Sequence, residues 1–243
     1  RNETIRGDFF RKGELVRAVI RKVEMKNNNP VVILSRTDNT FLEKLLEQEV
    51  PEIEDEVVRI VAVAREANPP SRQVGPRTKI AVDTLERDVD PVGACIGARG
   101  SRIQAVVNEL RGEKIDVIRW SPDPATYISN ALSPARVDAV VLANTEDRQA
   151  HVLVAEDQLS LAIGKEGQNV RLAARLTGWK IDIKDSAKYE LDAEFGAEDD
   201  MPAEEELETE SQTESGSEWE DTNMSAEAED VVEEVVEPVG DEG

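Results

Sequence analysis

Two short phrases in the chain, CIGARG at 95–100 and AIGKEG at 162–167, are the same Gly-x-x-Gly with an Ile before it. A main chain that lets another backbone pass close to it needs positions without side chains, and a helix starting there offers N–H groups and a partial positive charge to a phosphate. Two glycines flanking two variable residues supply both. Cations stand beside each phrase: Arg99 and Arg102 at the first, Lys165, Arg171 and Arg175 at the second. Glu166, inside the second phrase, opposes a phosphate unless its side chain points to solvent, so that turn is the weaker expected contact. The glycine spacing fits neither G-x-G-x-x-G nor G-x-x-x-x-G-K-[ST], and no nucleotide cofactor is indicated. A lone Gly-x-x-Gly between helices is usually only a tight turn; here it is the repetition that points to binding.

Other reactive residue types offer little. The chain has one cysteine, Cys95, and one histidine, His151, so it can form neither an internal disulfide nor a Cys/His zinc site. Cys95 falls on the apolar side of a helix pattern and reads as packing, while His151 sits in a strand pattern without a catalytic partner. The carboxylates form no metal or acid–base motif, and no cofactor is expected.

The elements that must position the two turns are themselves repeated. Laying DPVGACIGARGSRIQAVVNELRGEKIDVI over DQLSLAIGKEGQNVRLAARLTGWKIDIK matches Asp90, Ile96, Gly97 and Gly100 to Asp157, Ile163, Gly164 and Gly167 at one offset. After a single-residue gap, Leu110, Gly112, Ile115 and Asp116 meet Leu176, Gly178, Ile181 and Asp182. Asp90 and Asp157 are expected as helix N-caps, and Val92, Cys95, Ile96 and Leu159, Ala162, Ile163 recur at i, i+3, i+4 as buried faces. A second amphipathic helix follows each glycine pair and ends near Gly112 or Gly178; KIDVIRW and WKIDIK then read as strands. Upstream, RTKIAVDT and QAHVLVAE alternate as strands, preceded by EVVRIVAVARE and ARVDAVVLANT and, before those, by the helical NTFLEKLLEQEV and DPATYISNALSP. Each copy therefore reads helix, strand, strand, helix, GxxG, helix, strand. Trp120 and Trp179, beside the last strands, are expected to pack rather than to stack on bases, and 4% aromatic content argues against an RRM-type sheet.

Charge divides the chain. Of 52 acidic residues 23 lie from residue 186 onward beside one of the 29 basic ones, so the net charge of −23 splits into −22 there and −1 before it. A segment such as EEELETESQTESGSEWED cannot bury enough apolar surface to offset its ordering entropy, and 186–243 is expected to be a disordered acidic tail. No apolar run approaches the length of a membrane helix and the start lacks a signal-peptide layout, so a cytoplasmic protein without membrane contact is expected. A first residue that is Arg rather than Met suggests a fragment.

The repeated order, with GxxG between two helices, resembles the bacterial type (type II) KH domain, and the tandem resembles the NusA family of transcription elongation and termination factors. DVDPVGACIGARG, GEKIDVIRW and GKEGQNVRLAARLTGWKIDI are close to family hallmarks, and GELVRAVIRKVEMKNNNPVVILSRT looks like the last strands of the S-one type OB barrel that precedes the KH pair. The resemblance implies an α+β fold: a partial OB-fold barrel at 1–37, a first KH domain at 38–121, a second at 122–185, and the tail at 186–243. It implies single-stranded RNA held at Gly97, Ala98, Arg99, Gly100, Ser101 and Arg102, and at Gly164, Lys165, Glu166, Gly167, Gln168, Asn169 and Arg171. RNA polymerase and other elongation or antitermination factors are the implied partners, for a monomer that is not an enzyme. The loop REANPPSRQVGPRTK is expected to be mobile, with Arg72, Arg77 and Lys79 within reach of RNA. The alternative is a piece of an RNA-degrading enzyme, since exoribonucleases also combine KH and OB modules; the phosphorolytic exonuclease places one KH before its barrel, the reverse of the order here.

Overall fold

The computed structural model describes residues 3–189. Apart from residues 186–189, the acidic tail expectation lies outside them. The chain opens with an irregular segment and one antiparallel hairpin, β1 (Val19–Lys26) and β2 (Asn29–Ser35). Ile20, Val23, Met25, Val32 and Leu34 stand exposed on one face of it. Arg36 fastens this region to the body: its guanidinium donates to Asp8 Oδ2 at 2.9 Å, to the Arg17 carbonyl at 2.7 Å and to Glu109 Oε1 at 2.8 Å. Among the described residues the stretch read as the end of a barrel is this hairpin alone.

The first repeat unit follows. Helix α1 (Asn39–Glu49) starts where the Asp38 carboxylate accepts the Thr40 N–H at 2.9 Å and buries Phe41, Leu42, Leu45 and Leu46, residues spaced to share one face. Pro51 ends it and opens the short α2 (Pro51–Glu54). Then come β3 (Val58–Glu66), β4 (Arg77–Thr84), α3 (Pro91–Ile96), a 3-10 turn at Ala98–Gly100, α4 (Ser101–Glu109) and β5 (Lys114–Arg119). The second unit repeats the order with α5 (Pro124–Ala131), β6 (Ala139–Asn144), β7 (Gln149–Val154), α6 (Glu156–Ile163), a 3-10 turn at Lys165–Gly167, α7 (Gln168–Thr177) and β8 (Lys180–Asp185). Each sheet has its second strand in the middle, antiparallel to the first and parallel to the third. The registers coincide too: Lys79 faces Asp116 in one unit as His151 faces Asp182 in the other.

The first sheet is covered on both faces, which is why β4 reads as a nearly continuous buried run. Ile80 and Val82 join Leu42, Leu46, Cys95, Val106 and Leu110 under the unit's own helices. Ala64, Ala81 and Ile118 point the other way and belong to the core of Tyr127, Ile128, Leu132, Leu172, Ala173 and Leu176 from the second unit. The small side chains of Ala64 and Ala81 let the second unit's helices come close. Polar ties complete the junction: Lys79 Nζ donates to the Ser133 carbonyl at 2.7 Å and Asn130 Nδ2 to the Arg119 carbonyl at 3.1 Å. One core thus fixes the second unit on the back of the first. Trp120 and Trp179 pack against it, as expected.

Several sequence expectations change here. Helix α6 starts earlier than its counterpart, with Ala155 as N-cap and Asp157 inside the first turn, so Asp157 is not a cap although Asp90 is one. The loop expected to be mobile is tied down: Val74 is buried, Asn68 exchanges hydrogen bonds with Thr4 and Arg6, and Gln168 Nε2 donates to the Gly75 carbonyl at 3.0 Å. Residues 186–189 form a helical turn, where the Asp185 carboxylate accepts the Ala187 N–H and the Tyr189 ring lies 6.4 Å from His151 and 5.5 Å from Lys184 Nζ. These contacts carry ordered chain past the boundary expected at 185. No described helix is long and apolar enough to cross a membrane.

Candidate nucleic-acid interface

The two turns have one backbone geometry. Gly97 and Gly164 take φ/ψ of 72/176° and 74/171°, Arg99 and Glu166 take 54/27° and 51/31°, and Gly100 and Gly167 take 78/15° and 70/18°. In each, the N–H of the second glycine donates to the carbonyl of the first at 3.1 Å. A non-glycine residue in the left-handed region is uncommon, and its appearance at the same place in both copies shows that the surrounding loop imposes it.

The glycines in a pair do different jobs. A Cβ on Gly97 would lie 2.7 Å from Arg102 Cγ, and one on Gly164 would lie 2.7 Å from Asn169 Cβ, so the first glycine makes room for packing inside the loop. A Cβ on Gly100 would meet nothing within 4 Å, and one on Gly167 only Val170 Cγ1 at 3.9 Å. The second glycine therefore leaves the outer face bare, where another backbone can approach. Helices α4 and α7 begin at these glycines without a side-chain cap, whereas α1, α3 and α5 are each capped by an aspartate. Uncapped first-turn N–H groups and the helix dipole suit a phosphate. Exposed Ile96 and Ile163 end the helices that lead into the turns and offer apolar surface beside them.

The expected contact residues fall into two groups. Ala98, Arg99, Ser101, Lys165 and Glu166 are exposed around the bare faces. Four others are engaged inside the protein. Arg102 Nη1 donates to Glu52 Oε2 at 2.8 Å and to the Ala94 carbonyl at 2.7 Å. Asn169, in the matching position, is buried and donates to the carbonyls of Leu132, Leu161 and Ala162. Both side chains close the loop over the preceding helix end rather than reach outward. Gln168 is buried, and Arg171 grips Glu66 of the first unit through Nε at 2.7 Å and Nη2 at 3.0 Å. That grip holds the Glu66 carboxyl below its ordinary range, and Gln168 and Arg175 assist against the effect of burial. Of the loop cations, Arg72 is exposed, Arg77 pairs with Asp116, and Lys79 is buried against Asp116 at 3.2 Å, its amine pulled down by burial. Lys79 is thus an interdomain strut rather than a residue that brushes RNA.

A groove of about 470 Å³ runs from Val92 on α3 and Val117 and Arg119 on β5 to Ser129, Asn130 and Arg136 of the second unit. Arg119 and Arg136 are exposed there and lie outside the sequence-based set. No spacing signal tied them to the glycines, because the docking of the two units is what brings them together. Cys95 is fully buried, which pushes its thiol up to about 12 and suits packing. Among the described residues no group of three or more His, Cys, Asp or Glu is placed to hold a metal ion.

Comparison with known proteins agrees with this geometry. Residues 36–120 match the NusA-like first KH domain and 124–191 the NusA-like second KH domain. Proteins named transcription termination/antitermination protein NusA are similar: that of Halalkalibacterium halodurans is 50% identical over 187 residues, 77% of this chain and 47% of its own. Those of Bacillus subtilis (50% over 183 residues, 75% and 47%) and Thermus thermophilus (45% over 192 residues, 79% and 48%) are alike in extent. The chain spans about half the length of these relatives.

Proposed function

From a chain that belongs to the NusA family, with an α+β fold of tandem KH domains, we propose an RNA-binding transcription factor that holds nascent single-stranded RNA across both units and thereby modulates pausing, elongation, termination and antitermination by RNA polymerase. The observation that carries this reading is the pair of matching GxxG loops, each bare on its outer face, mounted on units joined by one core. A KH domain clamps about four nucleotides, which specify little; a second clamp at a fixed offset lengthens the site and raises affinity through effective concentration. We place the protein in the cytoplasm, as a non-enzymatic monomer that works with RNA polymerase and other elongation or antitermination factors. The hairpin is proposed to be the last strands of an S-one type barrel. The relatives' names disfavour the RNA-degrading alternative.

Ultraviolet crosslinking of the chain to single-stranded RNA, followed by mass mapping, tests the reading. Crosslinks are expected in peptides carrying 96–101 and 163–167 and around Arg119 and Arg136. Crosslinks confined to other surfaces would overturn it, and phosphate-dependent shortening of the RNA would revive the degrading enzyme.

A further inference from the structure

The second turn is held from outside its own unit and the first is not. Arg171, gripped by Glu66, also donates through Nη1 to the main-chain carbonyl of Glu166 at 3.1 Å, so a chain of bonds runs from the end of β3 in the first unit to the left-handed residue of the second GxxG. Arg175 Nη1 adds a bond to Glu66 Oε1 at 3.0 Å. The side chain of the same Glu166 is taken by the first unit as well, since Ser71 Oγ donates to its Oε1 at 2.9 Å. In the first unit the residue matching Arg171 is Gln104, which bonds to Asn108 on its own helix at 2.9 Å. Among the described residues no bond reaches the first turn from the second unit.

We propose that Glu66 and Ser71 are positioning residues for the second clamp: the first unit braces Glu166 by main chain and side chain, and so sets the shape in which that GxxG meets RNA. The brace explains how a glutamate sits in a phosphate-facing loop. Its carboxylate is taken up by the Ser71 hydroxyl of the first unit at 2.9 Å. The Glu66 carboxylate is almost fully covered, with 5% of its side chain exposed, so solvent does little to loosen the grip on Arg171. Preorganising a loop lowers the entropy lost on binding, and here only one of the two clamps receives that help from its neighbour. The inference rests on the RNA-binding reading for its consequence but not for its first test.

That first test needs no RNA. Amide hydrogen exchange is followed at Gly167 and Gly100, whose N–H groups make equivalent bonds to Gly164 and Gly97. Glu66→Gln and Ser71→Ala should each speed exchange at Gly167 by about tenfold, the worth of one lost charge-assisted bond, and leave Gly100 unchanged. Equal acceleration at both glycines, as a general loss of stability would give, or at neither, overturns the brace. Ser71 lies on a surface loop, so its variant keeps the test sound if Glu66→Gln disturbs the junction. The second test titrates a mixed-sequence single-stranded RNA of about 12 nucleotides, long enough for both units. Glu66→Gln should weaken binding about fivefold in the parent and in a Gly100→Asp background, and have no further effect with Gly167→Asp, because coupled residues are not additive. Full additivity with Gly167→Asp overturns the proposal. If Gly167→Asp itself binds like the parent, the RNA reading of that turn fails, while the exchange difference still decides the brace.

Discussion

Substituting the two glycines of one turn should separate folding from binding. At Gly97 a Cβ would stand 2.7 Å from Arg102 Cγ with φ at +72°, so Gly97→Ala must push aside the side chain that closes the loop. At Gly100 φ is +78° but nothing lies within 4 Å. Aspartate enters the left-handed region more readily than most residues, so Gly100→Asp should cost about 1 kcal/mol of stability, or about 2–4 °C in melting temperature. Its carboxylate would then occupy the face where a phosphate must pass. Two unit charges about 5 Å apart repel by about 1 kcal/mol in water and about 3 kcal/mol at the effective dielectric of a protein surface. Affinity for single-stranded RNA should fall about 5- to 150-fold, most at low salt. Fluorescence anisotropy titrations at two ionic strengths, beside thermal melts, measure both quantities, and Gly97→Ala should show the larger drop in melting temperature. If Gly100→Asp and Gly167→Asp both stay folded and bind RNA like the parent, the turns are structural punctuation and the RNA assignment is wrong.

Because folding holds the Glu66 carboxyl below its ordinary value, its stabilisation is complete above the ordinary carboxylate pKa and is lost as pH falls through the lowered folded value. Glu66→Gln should therefore flatten the acid limb of the stability curve, read as urea midpoints between about pH 6 and about pH 3; an unchanged limb refutes the pairing. With its thiol fully buried and pushed up to about 12, Cys95 should react with a thiol reagent at about pH 8 only as fast as the domain opens. Labelling faster than unfolding would contradict that burial. Deleting residues 190–243, which carry acidic residues and no basic ones, should tighten RNA binding at low salt and matter less at high salt, if the tail competes for Arg99 and Lys165. Equal affinity with and without the tail at low salt rules this out.

Much of the fold was legible in the sequence because its signals are local. The spacing of Phe41, Leu42, Leu45 and Leu46 marks a helix face, Asp90 marks a helix start although Asp157 does not, and the matched glycines mark turns that any side chain would strain. Duplication doubled each signal, so the order of elements along the chain could be read twice. Side-chain direction was not legible, since it depends on which unit lies opposite. Arg102, Asn169 and Arg171 occupy ideal positions for phosphate along the chain, yet two fold inward to close their loops and the third turns to Glu66, 105 residues away. Arg119 and Arg136 share a groove only because Ala64 and Ala81 let the second unit settle on the first sheet. Sequence by itself determined the two GxxG turns, through backbone conformations that only glycine takes without strain. Tertiary structure alone decided which cations remain exposed beside the turns, because a buried carboxylate such as Glu66 claims the nearest guanidinium.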